Sequence, residues 1–234
     1  MSEMSSNSFY ETFINLHHIA EVENLKIIMY RNYESLPNKL TSRDVDIYCQ
    51  PHERLAWRRV FQKLARREKN KVFLIWSSYY VDKFSVSIKG GKKIEFDINF
   101  QLIWYNVDFG SVFSNKVEEF NSKISIFSPP SCLFIAFCHS FLYGGNLPLK
   151  HVDRYNDELN SEIFLSYMQK MFGVYAPDLV AKLSNRQNVS RQYSNIIRVY
   201  VMIRFLKDSY GLGLFQIPMR YIWGERKVFL NMNY

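Results

Sequence analysis

Asp44 and Asp46 stand one residue apart in RDVDIY, and Asp97 lies in KKIEFDINF. Both runs are apolar and β-branched or aromatic around the acids, as strands are. Side chains on a strand alternate faces with period two, so Asp44 and Asp46 point the same way. Two like charges side by side repel, and a fold gains nothing from that arrangement without a cation. A divalent metal removes the penalty, and Mg²⁺ takes one or two protein carboxylates together with substrate phosphates. Two aspartates on one strand and a third on a neighbour suit two-metal phosphoryl transfer. Alone, an Asp-x-Asp pair at a strand start more often marks a solvated turn feeding the strand.

The surroundings change that weighting. The stretch LKIIMYRNYESLPNKLTSRDVDI, Leu25 to Ile47, reads as an apolar strand (Leu25 to Tyr30), Arg31-Asn32, a polar connection through Pro37, and then the acidic strand from Val45 to Cys49. With Asp97 further on, this series resembles the nucleotidyltransferase superfamily related to DNA polymerase beta. More narrowly, YRNYESLP followed by RDVDIY is similar to the nucleotidyltransferase-like proteins of bacterial surface-polysaccharide loci. The resemblance covers Leu25 to Ile47 and, more loosely, Ile94 to Asn99.

The resemblance implies an α/β (α+β) fold: a small mixed sheet flanked by helices, followed by a helical C-terminal region. It implies that Asp44 and Asp46 are the metal-binding pair for Mg²⁺ or Mn²⁺. Asp97 is then the third carboxylate, which ligates the catalytic metal and helps deprotonate the attacking hydroxyl. All three are expected to be catalytic as well as metal-binding. The superfamily ends its first strand in a Gly-Ser pair whose backbone approaches the nucleotide phosphates; here Tyr30-Arg31-Asn32 holds that place. Arg31, with a fork suited to phosphate, is expected at the nucleotide donor together with Asn32 and Arg43. The implied reaction moves a nucleotidyl group from a nucleoside triphosphate to a hydroxyl or phosphate acceptor. Capsule or O-antigen assembly would make that acceptor a saccharide or polyol, with peripheral association with membrane-linked glycan; nucleic acid ranks below these as a partner. Two other readings stay open: a phosphotransferase using a CDP-alcohol donor, and a non-catalytic basic binding module.

The elements around these residues follow from local pattern. Phe9 to Val22 and His52 to Arg67 read as helices, the second with Pro51 at its start. His17 and His18 are adjacent and diverge on a helix, so they do not share a metal. From Val72 the period becomes that of strands, with breaks at Asp82-Lys83 and at Lys89-Gly90-Gly91-Lys92. The latter is a hairpin turn, since Gly-Gly provides positive φ, and it lacks the spacing of a phosphate loop. Glu95 shares a strand face with Asp97, as a helper or as a rim charge paired with Lys93. Ser128-Pro129-Pro130-Ser131 marks a boundary between a catalytic domain, 1–127, and a helical domain, 128–234. Ser131 is read as a cap for a helix running through His139 to Tyr143. Helices are expected at Ser161–Phe172, Ala176–Leu183 and Arg191–Tyr210, the last with an apolar side of Ile196, Ile197, Val199, Tyr200, Ile203 and Leu206. Lys150, His151, Arg154 and Arg198 are available as acceptor contacts, and the tail from Gly211 has no assigned structure.

Composition sets outer limits. The 234 residues, 47% apolar and 22% charged, are enough for a substantial core. No apolar run reaches the length of a membrane span, and MSEMSSNSFYET has no signal-peptide core. Three cysteines (Cys49, Cys132, Cys138) lack metal-ligand spacing; Cys132 and Cys138, in an apolar run, are read as buried thiols, and a reducing cytoplasm is expected. The formal charge of +8 suits anionic partners, although the basic run Arg54 to Lys71 reads as the solvated face of an amphipathic helix.

Overall fold

The period-two runs pair into a single large sheet. In the computed structural model, residues 4–38, 44–68, 72–88, 92–105, 107–113, 116–208 and 230–231 are described. The fold is mixed α/β. Helix α1 (Met4–Val22) leads into β1 (Ile28–Met29) and β2 (Asp44–Tyr48); a short 3₁₀ turn at Pro51–Glu53 starts α2 (Arg54–Glu68). Strands β3 (Val72–Ser77), β4 (Val81–Ser87) and β5 (Lys93–Asn99) follow, then a small hairpin of β6 (Ile103–Trp104) and β7 (Val107–Asp108). Strands β8 (Val117–Asn121) and β9 (Ile124–Phe127) precede α3 (Pro129–Cys138), α4 (Glu162–Phe172), α5 (Ala176–Ser184), α6 (Arg191–Asp208) and β10 (Leu230–Asn231).

The main sheet has eight strands in the order β10-β3-β4-β5-β2-β1-β9-β8. It is mixed: β2 runs parallel to β5, while β4 is antiparallel to both β3 and β5. The expected small sheet is therefore too modest, because β8, β9 and β10 join it from outside the acidic core. The strand read from Leu25 to Tyr30 is shorter in the fold, Ile28–Met29, with Ile27 still accepting a backbone bond from Ser125 of β9. Asp82-Lys83 is no break; β4 runs through both, and the turn falls earlier, where Ser78 bonds Val81. The turn expected at Lys89-Gly90-Gly91-Lys92 lies mostly outside the described residues; β4 and β5 on either side of it pair antiparallel.

The described chain forms two compact units. One holds the residues up to Gln101, Glu118–Ile126 and the C-terminal strand; the other holds Leu102–Val117 and the residues from Phe127 to α6. The single boundary expected at 127/128 is thus replaced by several crossings, and the second unit is not all helical, since it carries the β6–β7 hairpin. In the first unit, α2 covers one face of the sheet: Phe61 stacks on Phe84 at 4.0 Å and meets Phe96 edge-on at 5.5 Å. In the second, every residue of α3 from Pro130 onward is buried, as a helix apolar on all sides must be. Its cap position is Ser128, not Ser131; Ser131 lies inside the first turn, 3.0 Å from the Ser128 hydroxyl. A π-helical turn, His139–Tyr143, follows, and the chain leaves it through Gly145 at φ 71°. On α6, Ile197 and Val201 are buried, whereas Ile196, Val199 and Ile203 of the expected apolar side are each more than half exposed. All three cysteines are free and buried, and burial pushes the Cys138 thiol well up. Among the described residues no helix is long and apolar enough to cross a membrane.

Candidate metal centre

The register of the sheet brings the predicted acids together. Asp46 lies opposite Asp97 across the parallel β2–β5 pair, and Asp44 lies opposite Glu95. One strand further, Lys83 faces Asp97 and Ser85 faces Glu95; beyond them stand Trp76 and Phe73 of β3. Residues paired across a ladder share a face, so Asp44, Asp46, Glu95, Asp97 and Lys83 crowd one side of the sheet, the side away from Phe84 and Phe96. One carboxylate oxygen from each of Asp44, Asp46 and Asp97 can be chosen so that the three lie within 4.8 Å of one another.

Burial makes this crowding expensive. Asp46 is fully buried, and Asp44 and Asp97 are half-buried. Two cations answer part of the charge. Arg31 Nε donates to Asp46 Oδ2 at 2.6 Å and its Nη2 donates to Oδ1 at 2.7 Å, a two-pronged fork. The Tyr30 hydroxyl donates to Asp46 Oδ1 at 3.3 Å. Lys83 Nζ lies 3.0 Å from Asp97 Oδ2 and 4.0 Å from Glu95 Oε2. Burial by itself would lower the Lys83 pKa; Asp97, Glu95 and Asp44 outweigh it and hold the ammonium charged.

Asp97 is less well served. Its Oδ1 is buried and accepts no hydrogen bond. Burial is the main cause that lifts its pKa to about 6; Lys83 pulls it down, and Asp46 and Asp44 push it up. A buried acceptor left unmatched normally costs about 1–3 kcal/mol, and such an atom in a folded protein asks for a missing partner. Clustered carboxylate oxygens are the ligands a hard divalent cation prefers. The donor set and the orphaned oxygen therefore both fit Mg²⁺ or Mn²⁺.

The other expected residues divide. Arg31 reaches the site, but its fork is closed on Asp46 rather than open to a phosphate. Asn32 makes the turn after β1, with φ 56°, a left-handed conformation asparagine tolerates better than most residues. Arg43 lies outside the described residues. Glu95 pairs with Lys83 and not with Lys93, because Lys93 sits at the exposed strand end.

A second charged cluster, unforeseen from the sequence, occupies the helix-covered face. Asp82 is fully buried; it receives Arg58 Nε at 2.7 Å, Arg54 Nε at 3.2 Å, a second bond from Arg54 Nη2, and the Ser77 hydroxyl at 2.7 Å. Burial would raise the Asp82 pKa, but the Arg58, Arg54 and Ser77 hydrogen bonds outweigh it and hold it below the ordinary value. Arg54 also lies 4.8 Å over the Phe100 ring. The basic helix is thus not simply solvated. One sign was available: Arg54 and Arg58 are four residues apart, the spacing that puts two side chains on one helix face.

Compared with protein-family models, curated proteins and solved structures, the chain gives no match.

Proposed function

We propose that the chain is a metal-dependent nucleotidyltransferase of the DNA polymerase beta type, with Asp44, Asp46 and Asp97 as its acidic centre. The observation that carries this reading is the clustering of three carboxylates, one with a buried oxygen that has no protein partner. In the reaction, an acceptor oxygen forms a bond to the α-phosphorus of a nucleoside triphosphate, the bond to pyrophosphate breaks, and Asp97 takes the acceptor's proton. Lys83 fixes the orientation of Asp97, and Arg31 fixes Asp46. A divalent cation held in this acidic centre would supply charge neutralisation at the phosphates. The acceptor proposed is a saccharide, a polyol or their phosphates, from the resemblance to polysaccharide-locus proteins.

One observation favours the CDP-alcohol reading as runner-up. The Arg31 fork is already occupied by Asp46, and no Gly-Ser backbone stands in its place to meet a triphosphate. A titration of ATP, CTP, GTP, UTP and CDP-alcohols with Mg²⁺ or Mn²⁺, on wild type and Asp44→Ala/Asp46→Ala, separates the readings. Metal-dependent triphosphate binding that vanishes in the variant is the expected result. Preference for a CDP-alcohol, with CMP released on turnover, moves the assignment to phosphotransfer. Binding of no nucleotide leaves the basic binding module.

A further inference from the structure

A carboxylate that bridges two metal ions needs one oxygen for each. On Asp46 both oxygens already accept short charge-assisted bonds from one planar guanidinium, at 2.6 and 2.7 Å. The Tyr30 hydroxyl lies on the same carboxylate at 3.3 Å. Asp46 is fully buried, so its attraction to Arg31 is little screened by water. Arg31 does not lose its proton in proteins, so this cation is permanent.

Among the buried side-chain oxygens of the three acids, Asp97 Oδ1 is the one that accepts no hydrogen bond, so the oxygen open to a cation lies on Asp97 and not on Asp46.

We propose, building on the metal-dependent reading above, that this chain binds a single divalent cation with Asp44 and Asp97 as its carboxylate ligands, and that Arg31 takes the place of a second cation at Asp46. Arg31 is then a positioning residue whose guanidinium sets the metal stoichiometry of the centre. The absence of the phosphate-binding Gly-Ser pair at Tyr30-Arg31-Asn32 fits this arrangement, since the strand end is used to neutralise Asp46 rather than to approach a triphosphate.

The test is a Mn²⁺ titration of the metal-free full chain, followed by the loss of the free-ion paramagnetic resonance signal. Sites are counted only if Asp44→Asn or Asp97→Asn removes them. One Mn²⁺ per wild-type chain is expected. Arg31→Met is expected to bind two, with the line broadening of a coupled Mn²⁺ pair. Arg31→Lys, which offers a point charge and not a fork, is expected to admit the second ion at least tenfold more weakly than Arg31→Met. A merely structural role for Arg31 would not change the count. Should Arg31→Met fail to fold, as judged by circular dichroism, wild type and Arg31→Lys still decide. Two coupled ions on wild type, or one ion on every folded Arg31 variant, overturn the inference while leaving metal-dependent transfer standing. No counted site on wild type overturns both.

Discussion

The two faces of the central sheet each hold buried aspartates against arginines, and they do so to opposite ends. Asp82 on the helix-covered face meets more positive charge than it brings: two arginines and a serine hydroxyl converge on one carboxylate. Its pKa falls. On the other face, Arg31 pairs with Asp46 and Lys83 with Asp97 and Glu95, and Asp97, with one oxygen unmatched, rises to about 6. Adjacent residues of one strand, Asp82 and Lys83, point into these two environments. The first cluster is complete as built and locks α2 to β4. The second is incomplete, and its incompleteness is what a metal and a substrate proton would relieve. A buried charged group therefore says little about function until its partners are counted.

The largest effect separating the faces is expected from Asp97→Asn. If Asp97 is the proposed proton acceptor, its loss should reduce metal-dependent pyrophosphate release by about 10²–10⁴-fold. The metal-free variant should unfold at a urea concentration no lower than wild type, because one poorly compensated charge has gone. If turnover survives at wild-type rate, Asp97 is not the base.

Asp82→Asn should do the reverse. Removing one partner of a fully buried pair typically costs about 3–5 kcal/mol, because Arg54 and Arg58 are left facing an amide. Urea unfolding should show that loss, while the Mn²⁺ count at the opposite face stays unchanged. A variant with unaltered stability would mean that Arg54 and Arg58 find water as readily as they find Asp82.

The same contrast has a pH signature. Asp82 has a lowered pKa in the fold, so its stabilisation is present above the unfolded carboxylate value of about 3.9 and is lost as pH falls through the lower folded value. Asp97 has a raised one: the folded state holds its proton more tightly, so stability declines as pH rises from about 3.9 to about 6 and then levels off. The decline is on the order of 2–3 kcal/mol for the metal-free chain. Unfolding midpoints measured with chelator from pH 3 to 8 should show both limbs; Asp97→Asn should remove only the upper one and Asp82→Asn only the lower. Added Mn²⁺ should restore stability at pH 7 by binding the folded state.

Much of the acidic face was legible in the sequence and almost none of the other face was. Period-two alternation is a local code, so Asp44 and Asp46 could be assigned to one side without knowing the fold. Asp97 needed only a second strand-like run and the family resemblance. Asp82 looked like an interruption because its neighbours are aromatic and its partners lie on a helix many residues upstream; no local pattern links Ser77 and Asp82 to Arg54 and Arg58. Arg31 illustrates a different failure. Its residue type correctly announced a fork for an oxyanion, but the nearest oxyanion was the protein's own Asp46. The size of the sheet escaped for a similar reason: β1 pairs with β9, whose residues lie far along the chain, and long-range pairing leaves little trace in either segment alone.

The smallest expected effect lies on α2 itself. Arg59 and Lys63, again four residues apart, both reach Glu23, as Arg54 and Arg58 both reach Asp82. The motif is the same, but Arg59 and Lys63 are 56% and 48% exposed, against 24% and 30% for the inward arginines. Water and salt screen the outer pairs, and holding two long side chains in place consumes most of what the attraction gives. Glu23→Gln should therefore cost less than about 1 kcal/mol and lose even that in 1 M salt, whereas Asp82→Asn should keep most of its effect there. Equal costs for the two substitutions would show that pairing, rather than burial, sets the energy of these clusters. The contrast between a complete buried lock and an incomplete buried site would then lose its physical basis.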